Sequence, residues 1–399
     1  MRRTLVIVSI VIILLGIGAG VYFYFFANTT DVTVAPPEGG GLPIAGQGTT
    51  PIAGEPGTET STDAPVSVSA RLVKISAGPV VPGMVVVDRK AENASSSPEV
   101  AVTYIERQSG NVFSYKVGAA TLTRTSNKTV PGIQTASWLP DGSLAFVRYL
   151  SGTDFSTINT YALPANGSNG FFLPQNLADV AAASTRVLTL SSGVNGSIAS
   201  LRRTDGTSLS TVFTVPLSAI RVSFAGKNQY LAFTKPSMAL PGSAFLIDST
   251  GRFSRIAGPH NGLVALASPS GKWVLTSFML DDAMRMNLIN IVTAESISLP
   301  IATLADKCAW AADDSAIYCG VPLNPPTGLA YPDDWYQGAV SFSDRIWKIQ
   351  VAGRYAQLVL DFSAETKSSL DAEALALNPA NTVMVFVNKN DGSLWSYKL

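Results

Sequence analysis

The chain has 399 residues, of which 46% are hydrophobic and 14% charged, and its formal net charge is zero. That is ample material for a large core, and the neutral balance excludes a general nucleic-acid binder, which needs a basic excess to neutralise phosphates. With two cysteines and one histidine, any catalytic triad or His-ligated metal centre must use His260.

Residues 4–27, TLVIVSIVIILLGIGAGVYFYFFA, carry no charge. A helix of that length reaches about 36 Å, enough to cross a hydrocarbon core of about 30 Å with some tilt. The run is longer than the apolar region of a cleaved signal and leaves through an aromatic belt at Tyr22–Phe26, so 1–27 reads as an uncleaved transmembrane signal-anchor. Arg2 and Arg3 precede it and the next basic residue is Arg71. The positive-inside rule then predicts a single-pass protein of the cell membrane, with its N-terminus in the cytoplasm and the rest extracytoplasmic. Residues 28–65 are rich in Gly, Pro and Thr and lack periodicity, the signature of a disordered linker.

From residue 66 the pattern is strand-like, and one unit recurs: an apolar strand, a tight polar turn, a second apolar strand. It reads ASWLPDGSLAFV (136–147), ALASPSGKWVLT (265–276), CAWAADDSAIYC (308–319) and ALALNPANTVMVFV (374–387), with weaker copies at 179–190 and 222–233. The turn residues Gly142, Ser184, Lys227, Gly271, Asp314 and Asn381 recur about every 43 residues, the last step being lengthened by an insertion at 320–343, and a 40–45-residue period of four strands marks a propeller blade. Extended back to the strand after Glu99, the pattern predicts an all-β, seven-bladed β-propeller over 66–399. The closing phrase DGSLWSYKL (391–399) repeats SGNVFSYKV (109–117) and reads as the third strand of the last blade. Its fourth, outer strand is expected from residues 66–76, which would close the ring and cover an exposed edge.

The turns LPDGSLAF and SPSGKWVL, together with DGSLWSYKL, resemble the repeats of TolB-type, WD-repeat-like propellers, and also the propeller domains of dipeptidyl peptidases. The resemblance implies the fold over 66–399. It carries no activity, since the peptidase hydrolase domain has no counterpart here, and the Gly-His and Trp-Asp pairs of WD repeats are absent.

In a four-stranded meander the loops after the second and fourth strands share one face. That face is expected to hold His260 in AGPHNG, Asp281 and Asp282 in MLDDAMRMN, and Tyr331, Asp333, Asp334, Trp335 and Tyr336 in the insertion. The carboxylates suggest a calcium site or a patch for a basic partner, although no spaced Asp-x-Asp-x-Asp-Gly loop exists and no other cofactor is indicated. The aromatics suggest either a recognition platform or a self-buried plug. Cys308 and Cys319 are placed symmetrically about the Asp313–Asp314 turn and suit a structural disulfide. No G-x-S-x-G, H-E-x-x-H or P-loop occurs. The leading expectation is therefore a non-enzymatic, membrane-tethered scaffold that binds a protein, peptide or envelope polymer and no nucleic acid. The alternative is an extracytoplasmic hydrolase or lyase using the acidic loop face.

Overall fold

The computed structural model describes residues 65–90 and 98–399; the expected membrane helix and residues 28–64 of the expected linker lie outside the described residues. No helix among the described residues is long and apolar enough to cross a membrane.

The described residues form antiparallel meanders, with strand outweighing helix among them 53% to 4%. Two short strands come first, β1 (Val66–Ser67) and β2 (Leu72–Lys74). One sheet holds β3 (Val85–Arg89), β4 (Glu99–Ile105), β5 (Val112–Lys116) and β6 (Thr121–Ser126). The next holds β7 (Ile133–Trp138), β8 (Leu144–Ser151), β9 (Thr157–Pro164) and β10 (Phe171–Phe172). A third holds β11 (Leu177–Ala182), β12 (Arg186–Gly193), β13 (Gly196–Arg203) and β14 (Ser210–Val215). A seven-stranded sheet follows: β15 (Ile220–Phe224), β16 (Tyr230–Thr234), β17 (Gly242–Ile247), β18 (Phe253–Ala267), β19 (Trp273–Leu280), β20 (Ala283–Asn290) and β21 (Ser296–Ser298). Then come β22 (Cys308–Trp310), β23 (Ala316–Pro322), β24 (Asp344–Gln350) and β25 (Tyr355–Asp361). The last sheet joins β26 (Ala372–Leu377), β27 (Val383–Asn388) and β28 (Leu394–Lys398) to β2 and β1.

The seam in that last sheet follows the sequence expectation. Leu72, Val73 and Lys74 pair with Tyr397, Ser396 and Trp395, so β2 covers the edge of β28. Side chains reinforce it: the Arg71 guanidinium lies 4.6 Å from the Tyr397 ring centroid, and its Nε donates to the Lys398 carbonyl at 2.7 Å. Gly392 in the preceding turn has φ +71°, and a Cβ there would stand 2.6 Å from Pro79, so this Asp-Gly-Ser turn needs its glycine. β1 then doubles back along β2, with Val66 opposite Lys74.

The turns explain the recurrent Asp-x-Ser/Thr triplets. In 141–143, 154–156, 205–207, 248–250, 313–315 and 391–393 the carboxylate accepts the backbone N–H of the residue two positions on, a local staple that competes with any helix. Between sheets, the strand faces interlock. Val85, Val87 and Ile105 pack on Ile133, Trp138 and Val147; Phe146 and Ala162 pack on Leu177 and Val187; Leu188 and Phe213 pack on Ile220 and Tyr230. Tyr318 and Ile346 pack on Met384 and Phe386, and Val383 and Val385 return to Val86 and Tyr104. The succession of buried clusters thus comes back to its start. Full burial of each such side chain contributes about 1.5–3 kcal/mol. A cavity of about 450 Å³ is lined at once by Ala182, Phe224, Ala267, Ala309 and Leu375, which sets the first strands of their meanders around a common axis.

Candidate functional site

The insertion after β23 is the largest departure from the repeat. It contains a short helix α1 (Asp333–Tyr336) and folds over its neighbours. Tyr331, Trp335 and Phe342 are buried with Met279 and Leu304, and Met238 and Met284 pack against them. The Asp333 carboxylate accepts the Met238 N–H at 2.6 Å, and that of Asp334 accepts the Ala330 N–H at 2.8 Å. These are the contacts of a loop that satisfies itself. Tyr331 and Trp335 sit in the plug, and only Tyr336, 37% exposed, remains at the surface.

The other expected residues lie on or between strands that pack against the plug: a Cβ at Gly262, two residues from His260, would stand 2.5 Å from the Tyr331 carbonyl oxygen. Asp281 and Asp282 form a two-residue turn between β19 and β20, both with positive φ, and both are exposed. His260 is not in a loop: it lies within the continuous strand β18, opposite Gly242, and its ring stacks on Phe278 at 4.1 Å. Burial lowers its pKa from the ordinary value. Cys308 and Cys319 are paired in register and joined as a disulfide.

Beneath the plug lies a charged centre that the sequence reading missed. Lys307, Asp344 and Asp371 are each completely buried or nearly so. The Lys307 ammonium meets Asp344 Oδ2 at 2.8 Å and contacts Asp371 Oδ1. Trp335 Nε1 and the Phe342 N–H both donate to Asp371 Oδ2 at 2.9 Å. The Trp335 ring lies 4.9 Å from two ammoniums, those of Lys307 and Lys389. Asp344 Oδ2 also accepts from the Ala372 N–H at 2.7 Å, whereas its Oδ1 is buried with no partner. Burial, opposed by Lys307 and helped by Asp371, pushes the Asp344 carboxyl up to about 6. The ammonium thus holds together the starts of β22, β24 and β26 and, through Trp335, the insertion.

Next to this centre the same chain segments reach solvent. Asp306 precedes Lys307, as Tyr336 follows Trp335. Asp306 Oδ2 accepts the Tyr336 hydroxyl at 2.5 Å and Arg221 Nη1 at 2.7 Å, and Arg221 comes from β15. Burial first, then Asp306, raises the Tyr336 phenol well above its ordinary range, so it stays protonated. Burial works against the Arg221 charge, but Asp306 more than offsets it. The arrangement is a carboxylate fixed between a cation and a neutral proton donor, the elements of general acid–base chemistry. Beside it a cavity of about 650 Å³ opens where β7, β11 and β15 begin, with Arg148, Asp179, Arg221 and Lys235 in its lining.

No family model matches the chain, and no curated protein does. Among solved structures it is similar to an oligogalacturonate lyase from Vibrio parahaemolyticus, at TM-score 0.53 and 9% identity, covering 82% of this chain and 93% of that one. It is similar to an oligogalacturonate lyase in complex with manganese, at TM-score 0.50 and 10% identity, covering 81% and 98%. It is also similar to the hydrazine synthase of Kuenenia stuttgartiensis, at TM-score 0.50 and 11% identity, covering 80% and 96%. These are propeller-type folds, and the likeness is one of fold. It nevertheless corrects the expectation of a non-enzymatic binding or scaffold module. That expectation rested in part on missing catalytic motifs, and two of the solved structures that share this fold are enzymes of the lyase class. Propeller sites are assembled from separate loops, so a linear motif is not required for catalysis. As for the manganese of that neighbour, no group of three or more His, Cys, Asp or Glu side chains among the described residues stands where it could hold a metal ion. The described residues thus offer no donor set that fits such an ion.

Proposed function

We propose that the protein is an enzyme, a lyase or hydrolase, whose reaction takes place on the loop face at Asp306 and Tyr336. The observation that carries this reading is the Asp306 carboxylate held between the Tyr336 hydroxyl and the Arg221 guanidinium. In an elimination, Asp306 takes a proton from the carbon next to a carbonyl or carboxyl group, and Tyr336 gives its proton to the departing oxygen. In a hydrolysis, Asp306 activates a water and Tyr336 plays the same part. Arg221 holds Asp306 in place. The substrate fits the class of envelope or extracellular polymers, for which a tethered extracytoplasmic ring is suitably placed. Under this proposal residues 1–27 anchor the protein with the N-terminus in the cytoplasm, and 28–65 form the tether. Counting the seven-stranded sheet as two blades that share β18 gives seven blades, of the TolB-like, WD-repeat-like kind.

The full-length protein is to be incubated with neutral and acidic polysaccharides. New conjugated double bonds report elimination, and new reducing ends alone report hydrolysis. Asp306→Asn and Tyr336→Phe are each expected to lower kcat by about 10²–10⁴-fold, the usual weight of a general acid or base. Failure to turn over any polymer, or variants as fast as the wild type, would sink the proposal.

A further inference from the structure

The cavity beside Asp306 has an unbalanced charge. Its lining holds three cations, Arg148, Arg221 and Lys235, against one carboxylate, Asp179. Asp306, outside the lining, balances Arg221. Even with Asp179 set against one of the others, one cation is left over.

Asp179 Oδ1 accepts the Val180 N–H and Oδ2 the Val222 N–H, each at 2.9 Å, which fixes the carboxylate where its charge offsets part of that of Arg148. The cation left over is then Lys235. Arg148 has no ion-pair partner among the described residues. Its Nη2 donates to the carbonyls of Leu177 and Ala178, and its Nε is buried with no partner at all. A guanidinium held this way is preorganised, because the backbone carbonyls fix its plane. Lys235 is exposed at the rim and makes no ion pair among the described residues. Hydroxyls of Thr135, Ser137 and Ser218 complete a polar wall.

We propose that this cavity is an anion subsite, taking the carboxylate or phosphate substituent of a sugar. Arg148 Nη1, the one guanidinium nitrogen neither bonded to backbone nor sealed in, suits one oxygen of an anion, Lys235 supplies a mobile point charge at the entrance, and the hydroxyls suit the ring. The volume fits a sugar unit rather than a bare ion. The subsite's role in catalysis rests on the enzyme reading above. Its binding does not, because it is carried by charge balance and geometry at residues that take no part in the acid–base pair.

The test is calorimetric titration of the full-length protein with glucuronate, glucose 6-phosphate and glucose. The two anions are expected to bind and glucose not to. Preference between the anions tells a carboxylated from a phosphorylated ligand. Lys235→Gln, at an exposed position, should leave the unfolding midpoint unchanged and weaken anion binding about tenfold, and added salt should act in the same direction. Equal binding of glucose and glucuronate, or full anion affinity in Lys235→Gln, would overturn the inference. Anion binding without turnover of any polymer would instead leave the subsite standing and remove the enzyme reading. Turnover with no preference for anions would do the reverse.

Discussion

Two regions of the loop face use the same residue types to opposite ends. Around Lys307 the charges are sealed: an ammonium, two carboxylates and the Trp335 indole pair with one another out of contact with water, and of the carboxylate oxygens Asp344 Oδ1 is left without a partner. Around Arg148 and Lys235 cations outnumber carboxylates beside a cavity of about 650 Å³. Burying a charge without a partner is costly, so a sealed cluster pairs its charges internally and serves position rather than binding. An exposed cation such as Lys235 bears no such cost and remains available to a ligand. Burial and compensation, not residue type, separate structural charge from functional charge here.

The sharpest way to break that contrast is one substitution made twice. Lys307→Met should strand two buried carboxylates and cost about 3–5 kcal/mol in urea unfolding, whereas Lys235→Met, at an exposed position, should stay within about 0.5 kcal/mol. Similar losses at the two sites would erase the distinction. A smaller effect tests the plug. Trp335→Phe keeps an aromatic ring but removes one donor to Asp371, which retains the Phe342 N–H, and should cost about 1–3 kcal/mol. Hydrogen exchange should rise in 323–343 and stay unchanged around β7 and β11.

The smallest expected effect is a pH dependence. The Asp344 carboxyl is raised above its unfolded value, to about 6. Its contribution is therefore fully present below the ordinary carboxylate range and is lost as pH rises through about 6. The groups facing it are Lys307, Asp371 and the Ala372 N–H. Wild type should lose stability between pH 5 and pH 7, roughly across that value, and Asp344→Asn should not. The turn carboxylates Asp154, Asp205, Asp248 and Asp313 work in the opposite sense. Hydrogen bonds from the following Ser or Thr hold them below their ordinary value, so their contribution fades as pH falls. Stability measured on Asp344→Asn should keep this acid limb.

Much of the architecture was legible because it is local and repeated. The two-strand units, their spacing, the Asp313–Asp314 turn that sets Cys308 against Cys319, and the missing outer strand supplied by 66–76 all follow from period and turn chemistry. The site was less legible because it is not local. Lys307 stands in ADKCAW like any solvated residue before a strand, and its partner Asp371 is 64 residues further on. The sequence pointed to the insertion through its aromatics and acids, but could not tell which of two adjacent rings is buried. Trp335 went inward and Tyr336 outward. The one signal available was adjacency: Asp306–Lys307 and Trp335–Tyr336 are paired in sequence as they are in space, one member of each below and one above.

β18 has a consequence of another kind. Elsewhere the meanders are joined by turns that can yield under load, but β18 is one 15-residue strand, bonded to β17 through its first half and to β19 through its second. Pulled from its ends, the ring should give up most of its sheets one at a time. The pair welded by β18 should let go together, in a single rip about twice the usual length.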